Sequence, residues 1–329
     1  MVSTQAIVKT ALMISTLSMT LAGGSVELKR GQGQIEIVVA GKPFSTYYYA
    51  TDSAKPYLMP LRTPSGVVVT RAYPLGNSAA GLDPKAPAFE PHQRPLYFAH
   101  GDIDGLDFWQ EPVFDGYYTD HGNQAYGHMR LKDIEQAVEA PDHATIRARF
   151  NLLDSNERLI AEETQSYAFG GNGRTRIVDC EFVVHAVAGP LVFGDTKEGT
   201  FGIRLAPELS APHDHMLNSH GDHGEAAIWG KPADWVNFYG TVAGKPVGVA
   251  VFDSPVSFRH PTTWHARAYG LLAANPFGAR EFRKDKSQDG SWTIPEGESL
   301  RFRYRVVIYD GEFSPGELDA MYRQYAQEQ

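Results

Sequence analysis

The sequence has 329 residues, of which 21% are charged and 42% hydrophobic, and its formal net charge is −9 at pH 7. This composition is typical of a soluble globular protein. The acidic balance argues against nucleic-acid binding, which requires a basic surface against the phosphates. The one cysteine, Cys180, excludes an intrachain disulfide, and its strand-like surroundings favour a small buried side chain over a reactive thiol.

The N-terminus, residues 1–24, has the order of features found in a secretory signal peptide. Lys9 precedes a mostly apolar stretch from Ala11 to Ala22, and small residues follow. The stretch is too short and too rich in Ser and Thr to span a membrane, and no later segment reaches the required length of about 18 apolar residues. We therefore expect a periplasmic or secreted protein in which residues 25–329 form one domain. The alternative is an irregular, partly helical extension.

Strand patterns dominate the rest of the chain. Residues 34–50 are typical of two alternating strands around a Gly-Lys-Pro turn, and residues 65–74 form a short β-branched run. Four alternating segments follow between residues 127 and 187, separated by the turn sequences PDH, SNE and GNG, and predict an antiparallel meander. Later strands are predicted at residues 199–206, 225–231, 235–242, 246–253, 265–273 and 299–310.

One helix is predicted, at the C-terminus. Ser314 is placed to cap it, Pro315 suits its first position, and Glu317 completes a capping box. Three apolar residues are spaced to pack against a sheet, namely Leu318, Met321 and Tyr325. No internal repeat or linker composition interrupts the pattern. The sequence thus predicts an all-β fold, a single large antiparallel β-sandwich with one C-terminal helix.

Three long loops are the expected location of function, because a compact domain seldom keeps long loops without a task. They cover residues 74–95, 207–224 and 254–266.

The first candidate cluster lies in the segment from residue 92 to 109. It contains His92, Arg94, His100 and Asp102. A histidine beside an aspartate can be held in one tautomer and transfer protons, and strand spacing would place Arg94 and His100 on one side. The alternative is structural, with Asp102 and Asp104 capping turns and His100 satisfied at a strand end.

The second cluster precedes and enters the strand predicted at residues 199–206. Lys197 and Glu198 are adjacent and Arg204 lies within the strand. The glycines at 194 and 199 indicate tight backbone geometry, which favours a shaped site. The alternative is a solvated Lys–Glu pair on a turn.

The third cluster is a histidine-rich loop that could hold a divalent metal through His213, His215 and His220, with His223 nearby. Its spacing matches no zinc signature. We therefore expect no cofactor, and the metal site is the minor alternative.

The fourth cluster surrounds the strand predicted at residues 265–273. Trp264, His265 and Arg267 precede or begin it, and Asn275 follows it. A tryptophan beside His and Arg is a common way to contact a sugar ring, because the aromatic face packs C–H groups while polar neighbours bind hydroxyls. Trp109 has similar surroundings. The alternative is that these tryptophans belong to the core.

Five segments together resemble a bacterial family labelled PmoA, a domain of unknown function. They are KPYLMPLRTPSGVVVTRAYP, HQRPLYFAHGDIDGLDFW, FGDTKEGTFGIRLA, AIWGKPADWVNFYG and RHPTTWHARAYGLLAANPFG. The resemblance implies exported β-sandwich proteins similar to the galactose-mutarotase-like supersandwich. The label implies methane oxygenation, but such a membrane subunit needs several apolar spans that this chain lacks, so we take the label as a misnomer. Gln93 stands where the family pattern has a second histidine.

These observations favour an enzyme that acts on a carbohydrate by general acid–base chemistry, as an epimerase, lyase or hydrolase. His100 or His265 would be the acid and Glu198 or Asp102 the base. The expected substrate-binding residues are His92, Arg94, Trp109, Lys197, Arg204, Trp264, Arg267 and Asn275. The alternatives are a non-catalytic carbohydrate-binding module and a metal-dependent enzyme. No dinucleotide, nucleotide-triphosphate or serine-hydrolase motif is present.

Overall fold

The structure is a computed structural model that describes residues 24–50, 53–72, 90, 92–111, 125–210 and 215–328. The predicted signal segment, apart from Gly24, lies outside the described residues, as do most of the loop predicted at residues 74–95 and His213. Two antiparallel sheets of eight strands each form the described part of the chain, together with two small two-stranded sheets. The predicted fold class, a large antiparallel β-sandwich, is confirmed.

The first sheet combines the N-terminal strands with three strands from later in the chain. Its spatial order is β1 (Val26–Gly31), β2 (Gln34–Val39), β3 (Lys42–Tyr48), β4 (Tyr57–Met59), β5 (Leu96–His100), β13 (Gly199–Arg204), β18 (Leu271–Ala274) and β17 (Trp264–Arg267). The candidate segments at residues 92–102, 195–204 and 260–275 therefore lie side by side, because β5, β13, β18 and β17 are adjacent strands.

The second sheet contains the predicted meander. Its order is β14 (Met216–Asn218), β15 (Trp235–Val242), β16 (Lys245–Asp253), β20 (Ser299–Asp310), β11 (Thr175–His185), β10 (Leu159–Gly171), β9 (Ala144–Leu153) and β8 (His128–Glu139). The small sheets pair β12 (Leu191–Phe193) with β19 (Trp292–Ile294), and β6 (Leu106–Asp107) with β7 (Ala125–Tyr126).

Aromatic side chains join the two large sheets. Phe98 of β5 stacks on Phe182 of β11 with ring centroids 4.3 Å apart, and Phe201 of β13 stacks on Tyr304 of β20 at 4.6 Å. All four side chains are almost fully buried. Burial of such rings supplies most of the free energy that holds the sheets together.

Strand β20 shows the alternation that its sequence predicts, and the C-terminal helix covers its outer face. Its five even-numbered apolar residues from Leu300 to Ile308 all belong to the core between the sheets. Helix α3 (Pro315–Gln327) begins with the predicted capping box and packs Leu318 and Tyr325 on the opposite face. The helix therefore buries Arg305, which binds Asp179 at 2.6 Å.

The structure differs from the sequence predictions in four details. Residues 225–228 form the short helix α1 (Glu225–Ile228) instead of a strand, after Gly224 turns the chain at a φ of 76°. A second short helix, α2 (Ala279–Phe282), follows β18. The strand predicted at 265–273 is two strands, because the chain reverses at Gly270. In the run predicted at residues 65–74, Val68 and Thr70 make isolated bridges, and residues 73 and 74 lie outside the described residues. Elements of four residues are too short for periodicity to reveal.

Among the helices that the structure describes, none is long and apolar enough to cross a membrane.

A carboxylic acid is buried in the second sheet. Glu163 on β10 is 2% exposed, and its Oε1 accepts a hydrogen bond of 2.7 Å from Nε2 of Gln165. Burial raises the pKa of Glu163 to about 8, although the Gln165 amide partly opposes the shift. The Gln165 oxygen in turn accepts from the hydroxyls of Tyr47 and Tyr167. Glu163 is therefore neutral at pH 7.

Asp179→Asn should lower the free energy of unfolding by about 2 kcal/mol, because it removes the bidentate partner of the buried Arg305 and leaves its charge paired only with Glu328 at 2.8 Å. Denaturant unfolding measures this change. The matched control is Glu162→Gln, which breaks the partly exposed ion pair with Lys132 and should cost less than about 1 kcal/mol. Equal effects of the two substitutions would contradict the buried-pair interpretation.

Glu163→Gln should make the protein more stable at pH 8 by about 2–4 kcal/mol and leave its stability at pH 4 unchanged. Between the ordinary value of 4.5 and about 8, the unfolded chain has lost the Glu163 proton while the folded chain retains it. The free energy of unfolding of the parent therefore falls as pH rises through this window. Denaturation at both pH values tests this prediction. Glu36→Gln, at an exposed position of β2, is the control. A variant with the same pH slope as the parent would disprove the account.

Candidate functional site

The loop from Gly194 to Glu198 is fixed by hydrogen bonds to four of its carbonyl oxygens. His100 Nε2 lies 2.8 Å from the carbonyl of Gly194, and Asn275 Nδ2 donates to that of Thr196 at 2.9 Å. His265 Nδ1 lies 2.7 Å from the Lys197 carbonyl, and the Gly101 amide donates to that of Glu198 at 2.7 Å. We call residues 194–198 the clamped loop. Side chains from three distant segments thus hold one short loop in place.

His100 occupies the core side of the first sheet. It is fully buried, with its ring centroid 5.3 Å from that of Phe193 and 4.8 Å from that of Phe277. Burial lowers the pKa of His100 to about 4, while the Gly194 carbonyl and Glu198 partly oppose the shift. The ring is therefore neutral and donates from Nε2, since a carbonyl only accepts. Nδ1 of His100 has no hydrogen-bond partner among the described residues, so the ring is not fully satisfied as the structural alternative expected. Its complete burial on the core side does not suit the general acid that the sequence predicted.

Asp102 lies at the edge of the same region and caps a turn. Its Oδ1 accepts a hydrogen bond of 2.9 Å from the amide of Gly105. Asp104 instead accepts a long-range hydrogen bond of 2.8 Å from the amide of Val192 on β12. The contact of Asp102 corresponds to the turn-capping alternative, whereas Asp104 joins two distant segments.

A row of neighbouring residues crosses the outer face of the first sheet and includes the candidate site residue His265. Strand pairing places Tyr97, Gly202, Ala273 and His265 side by side. Their chain neighbours, such as Phe98, face the other sheet, so this row faces outward. Four strands at a spacing of about 4.8 Å put the Cα atoms of Tyr97 and His265 roughly 14 Å apart. The two residues between them, Gly202 and Ala273, have little or no side chain and project little above the sheet.

His265 presents an unprotonated nitrogen on this face. Because the Lys197 carbonyl accepts from Nδ1, the neutral ring carries its lone pair on Nε2. This atom is buried and has no hydrogen-bond partner among the residues described. Burial lowers the pKa of His265, while the nearby Glu198 carboxylate raises it in part. His265 is therefore suited to be a base, whereas the sequence offered it as an acid.

Half-buried side chains surround His265 and form the solvent-facing rim of the site. Lys197 Nζ lies 3.1 Å from Glu198 Oε1 and 3.3 Å from Glu281 Oε2. The Trp229 ring stands edge-on to His265 with centroids 6.2 Å apart. On the other side Arg267 binds Glu225 at 2.9 Å. The rim therefore offers an aromatic face and both signs of charge.

The buried polar atoms without a hydrogen-bond partner among the described residues also include the Tyr97 hydroxyl and the indole Nε1 atoms of Trp109 and Trp229. The Tyr97 and Trp109 rings lie 4.7 Å apart, and the Trp109 ring covers Gly202. Burial raises the pKa of Tyr97, and the Glu198 carboxylate raises it further. Tyr97 is therefore a protonated hydrogen-bond donor. We call Tyr97, Trp109, Glu198 and His265, with the rim residues Lys197, Trp229 and Arg267, the outer-face site.

The other predicted binding cations lie deeper and are held by protein groups. Arg94 makes a bidentate contact with Glu111, with Nε 3.1 Å from Oε1, and Lys55 shares that carboxylate at 3.1 Å. Arg204 donates to Gln93 at 2.9 Å and its guanidinium stands 4.4 Å from the centroid of the Tyr269 ring. His92 Nδ1 lies 3.6 Å from Glu90. The expectation that Arg94 and His100 share one side is wrong, because β5 begins only at Leu96.

Trp264 and Asn275 serve the framework. Trp264 is fully buried and donates to the Ala233 carbonyl at 2.8 Å, as its core alternative requires. Asn275 uses its amide on Thr196 and its oxygen on the amide of Phe277 at 2.9 Å. Both side-chain groups of Asn275 are therefore engaged within the protein.

The histidine-rich loop shows no metal centre in its described part. No group of three His, Cys, Asp or Glu side chains among the described residues is arranged to hold a metal ion, and His213 lies outside them. His220 and His223 are exposed. His215 lines an open cleft of about 610 Å³ between the turn at Pro207 and strands β15 and β16, away from the outer-face site.

Tyr97, Trp229 and Glu281 were not among the site residues predicted from the sequence. Tyr97 and Phe98 point to opposite faces of the first sheet, but a strand pattern alone does not show which face carries the candidate site. Trp229 was assigned to a strand, and Glu281 lies on helix α2, which was not predicted.

Stability should rise with pH between about 4 and 6.5 because of His100. In this range the unfolded chain binds a proton at His100 that the folded chain does not, so the free energy of unfolding falls on acidification. His100→Gln keeps a donor for the Gly194 carbonyl and should remove about 2 kcal/mol of this pH dependence. Denaturation at pH 4.5 and pH 7 measures it, with His143→Gln as control. Titration of the His100 ring near 6.5 by NMR would disprove the prediction.

Several solved structures are similar to this chain at low identity. The GH36 α-galactosidase AgaA from Geobacillus stearothermophilus is 10% identical, with a TM-score of 0.40 over 91% of this chain and 42% of that chain. The α-galactosidase from Lactobacillus brevis is 8% identical, with a TM-score of 0.41 over 92% and 42%. The heparan sulfate lyase HepC from Pedobacter heparinus is 10% identical, with a TM-score of 0.32 over 85% and 31%. The chain spans less than half the length of these enzymes, and likeness at this level carries no conclusion about activity.

No curated protein matches the chain. A family model, described as a family of unknown function (DUF6807), matches residues 34–323. This match covers most of the sequence and nearly all of the two large sheets. It agrees with the expectation of a family of unknown function, whereas the PmoA label stays a prediction. The chain therefore belongs to the family of unknown function DUF6807.

Proposed function

We propose that this protein acts on a carbohydrate at the outer-face site, with His265 as the general base and Glu198 as the second proton-transfer group. The observation that supports the proposal most directly is the buried, unpartnered Nε2 of His265 beneath a half-exposed rim. Buried polar atoms without a partner are rare in folded proteins and call for an explanation.

The polarity of the site matches a sugar. A saccharide presents C–H faces and hydroxyl groups that both donate and accept hydrogen bonds. Trp229 supplies aromatic surface at the rim, the Tyr97 hydroxyl and Trp109 Nε1 are buried donors, and His265 Nε2 is an acceptor. An apolar wall with a few oriented polar groups is the usual composition of a small-molecule site.

The direction of proton transfer follows from the protonation state and the tautomer of His265. His265 is neutral because burial lowers its pKa, and its tautomer leaves Nε2 free to accept a proton from the substrate. The imidazolium that forms would be stabilised by the Glu198 carboxylate, which favours the charged ring. Such a pair is suited to epimerisation or elimination, in which a proton is removed from the sugar. Lys197 and Arg267 would bind substrate oxygens.

The remaining predicted residues would act through the framework. His100 and Asn275 fix the clamped loop, and Arg94 with Lys55 and Glu111 forms a buried ion cluster beside Tyr97. We propose positioning functions for these residues in place of direct contact with substrate. Export to the periplasm or outside the cell remains part of the proposal, carried by the N-terminal sequence alone.

Turnover on a panel of oligosaccharides tests the proposal. His265→Gln and Glu198→Gln should each lower kcat/KM by about 100-fold or more, since general acid–base groups contribute at least that much. The parent's kcat/KM should fall as pH decreases through the lowered pKa of His265, below 6.5, because the protonated ring is no longer a base.

The matched controls are His143→Gln and Glu135→Gln, at the far edge of the second sheet, which should leave kcat/KM unchanged. Saccharide binding by the parent without turnover, retained in both site variants, would reject the enzyme in favour of the binding module. A parent that neither binds nor converts any member of the panel would reject the carbohydrate assignment.

A further inference from the structure

Trp292 is a large aromatic side chain that the outer-face site does not use. It begins β19 and is 45% exposed, whereas Trp109, Trp235 and Trp264 are at most 1% exposed. An exposed tryptophan places a large apolar face in water, which is unfavourable unless a ligand or partner covers it.

The Trp292 ring is held in one place by its neighbours. Phe258 packs against it with ring centroids 5.3 Å apart, and the guanidinium of Arg259 lies 5.6 Å from its centroid. Arg259 is itself fixed by donating to the carbonyls of Pro276 at 3.0 Å and Ser291 at 3.1 Å, and to that of Gly290. A fixed aromatic face loses little conformational entropy when a ligand binds. We call Trp292, Phe258 and Arg259 the aromatic platform.

The aromatic platform is connected to the clamped loop. Asp195 Oδ2 accepts hydrogen bonds from the amides of Gly290 at 2.6 Å and Arg280 at 3.0 Å. Gly290 lies two residues before Trp292, and Asp195 lies three residues before Glu198. Fully extended chain would span roughly 25 Å along this route, so the true separation is smaller. The platform and Glu198 therefore lie within roughly 25 Å of each other, a separation that a chain of several sugar rings can span.

We propose that Trp292 is a second saccharide-binding position, and that the ligand of this protein is an oligosaccharide or polysaccharide with one ring at the outer-face site and another on the aromatic platform. The inference rests on the proposed function and specifies its substrate class. A sugar C–H face would pack on Trp292. The exposed groups of Arg259, Asp289 and Arg280, which interact electrostatically with one another beside it, suit the hydroxyls. A protein partner would be the other occupant of such a surface.

The test measures affinity as a function of ligand length. Isothermal titration would use size-defined mono- to hexasaccharides of xylan, mannan, galactan and glucan with the full chain. Trp292→Ala should weaken binding of the hexasaccharide by about tenfold or more and leave the affinity for the monosaccharide of the same series unchanged. Trp292→Tyr keeps an aromatic face and should restore most of the affinity. Val187→Ala, at another exposed apolar side chain, is the control and should change nothing.

The outcomes separate this inference from the proposed function. If His265→Gln abolishes turnover and Trp292→Ala has no effect at any ligand length, the platform is rejected and the proposed function stands. Equal weakening for monosaccharide and hexasaccharide would also reject it, because a second position affects only ligands that reach it. If no saccharide binds the parent, both proposals are wrong. A midpoint of thermal unfolding of Trp292→Ala equal to that of the parent would show that the loss of affinity does not come from a loss of folding.

Discussion

The arrangement of the candidate site depends on the fixing of the clamped loop. Four of its five carbonyl oxygens accept hydrogen bonds, and the donors come from β5, from β17 and from the segments that follow β5 and β18. A short loop with this many backbone contacts has little freedom to move. The side chains of Lys197 and Glu198 are consequently directed by the backbone toward the rim, and the same hydrogen bonds set the tautomers of two histidines.

Those two histidines illustrate how sheet geometry separates structural from chemical roles. His100 and His265 each bind a carbonyl of the clamped loop, and burial lowers the pKa of both. His100 faces the core and is enclosed by Phe193 and Phe277. His265 faces outward beneath Glu198, Trp229 and Lys197. We therefore assign the proposed chemical role to His265, while His100 holds the loop that carries Glu198.

The two faces of the first sheet have different physical character. The inner face is an aromatic core in which Phe98 and Phe201 meet the second sheet. The outer face is a polar layer in which buried charges such as Arg94 are matched by Glu111. Within that layer Tyr97, Trp109 and His265 keep polar atoms that no described protein group satisfies. This contrast is the basis on which we propose that saccharides bind the outer face.

The sequence by itself determined the strands and the C-terminal helix, because these depend on local patterns. The alternation in β20 and the capping box at Ser314 were predictable residue by residue, as was the all-β class. It also identified Glu198, His265, Lys197 and Arg267 as polar residues in the segments that meet. Which face each side chain occupies was decided only by the tertiary structure. Strand pairing placed His100 inside and His265 outside, and long-range hydrogen bonds to the clamped loop chose their protonation states. Contacts between residues separated by 60 to 100 positions leave no local signal in the chain.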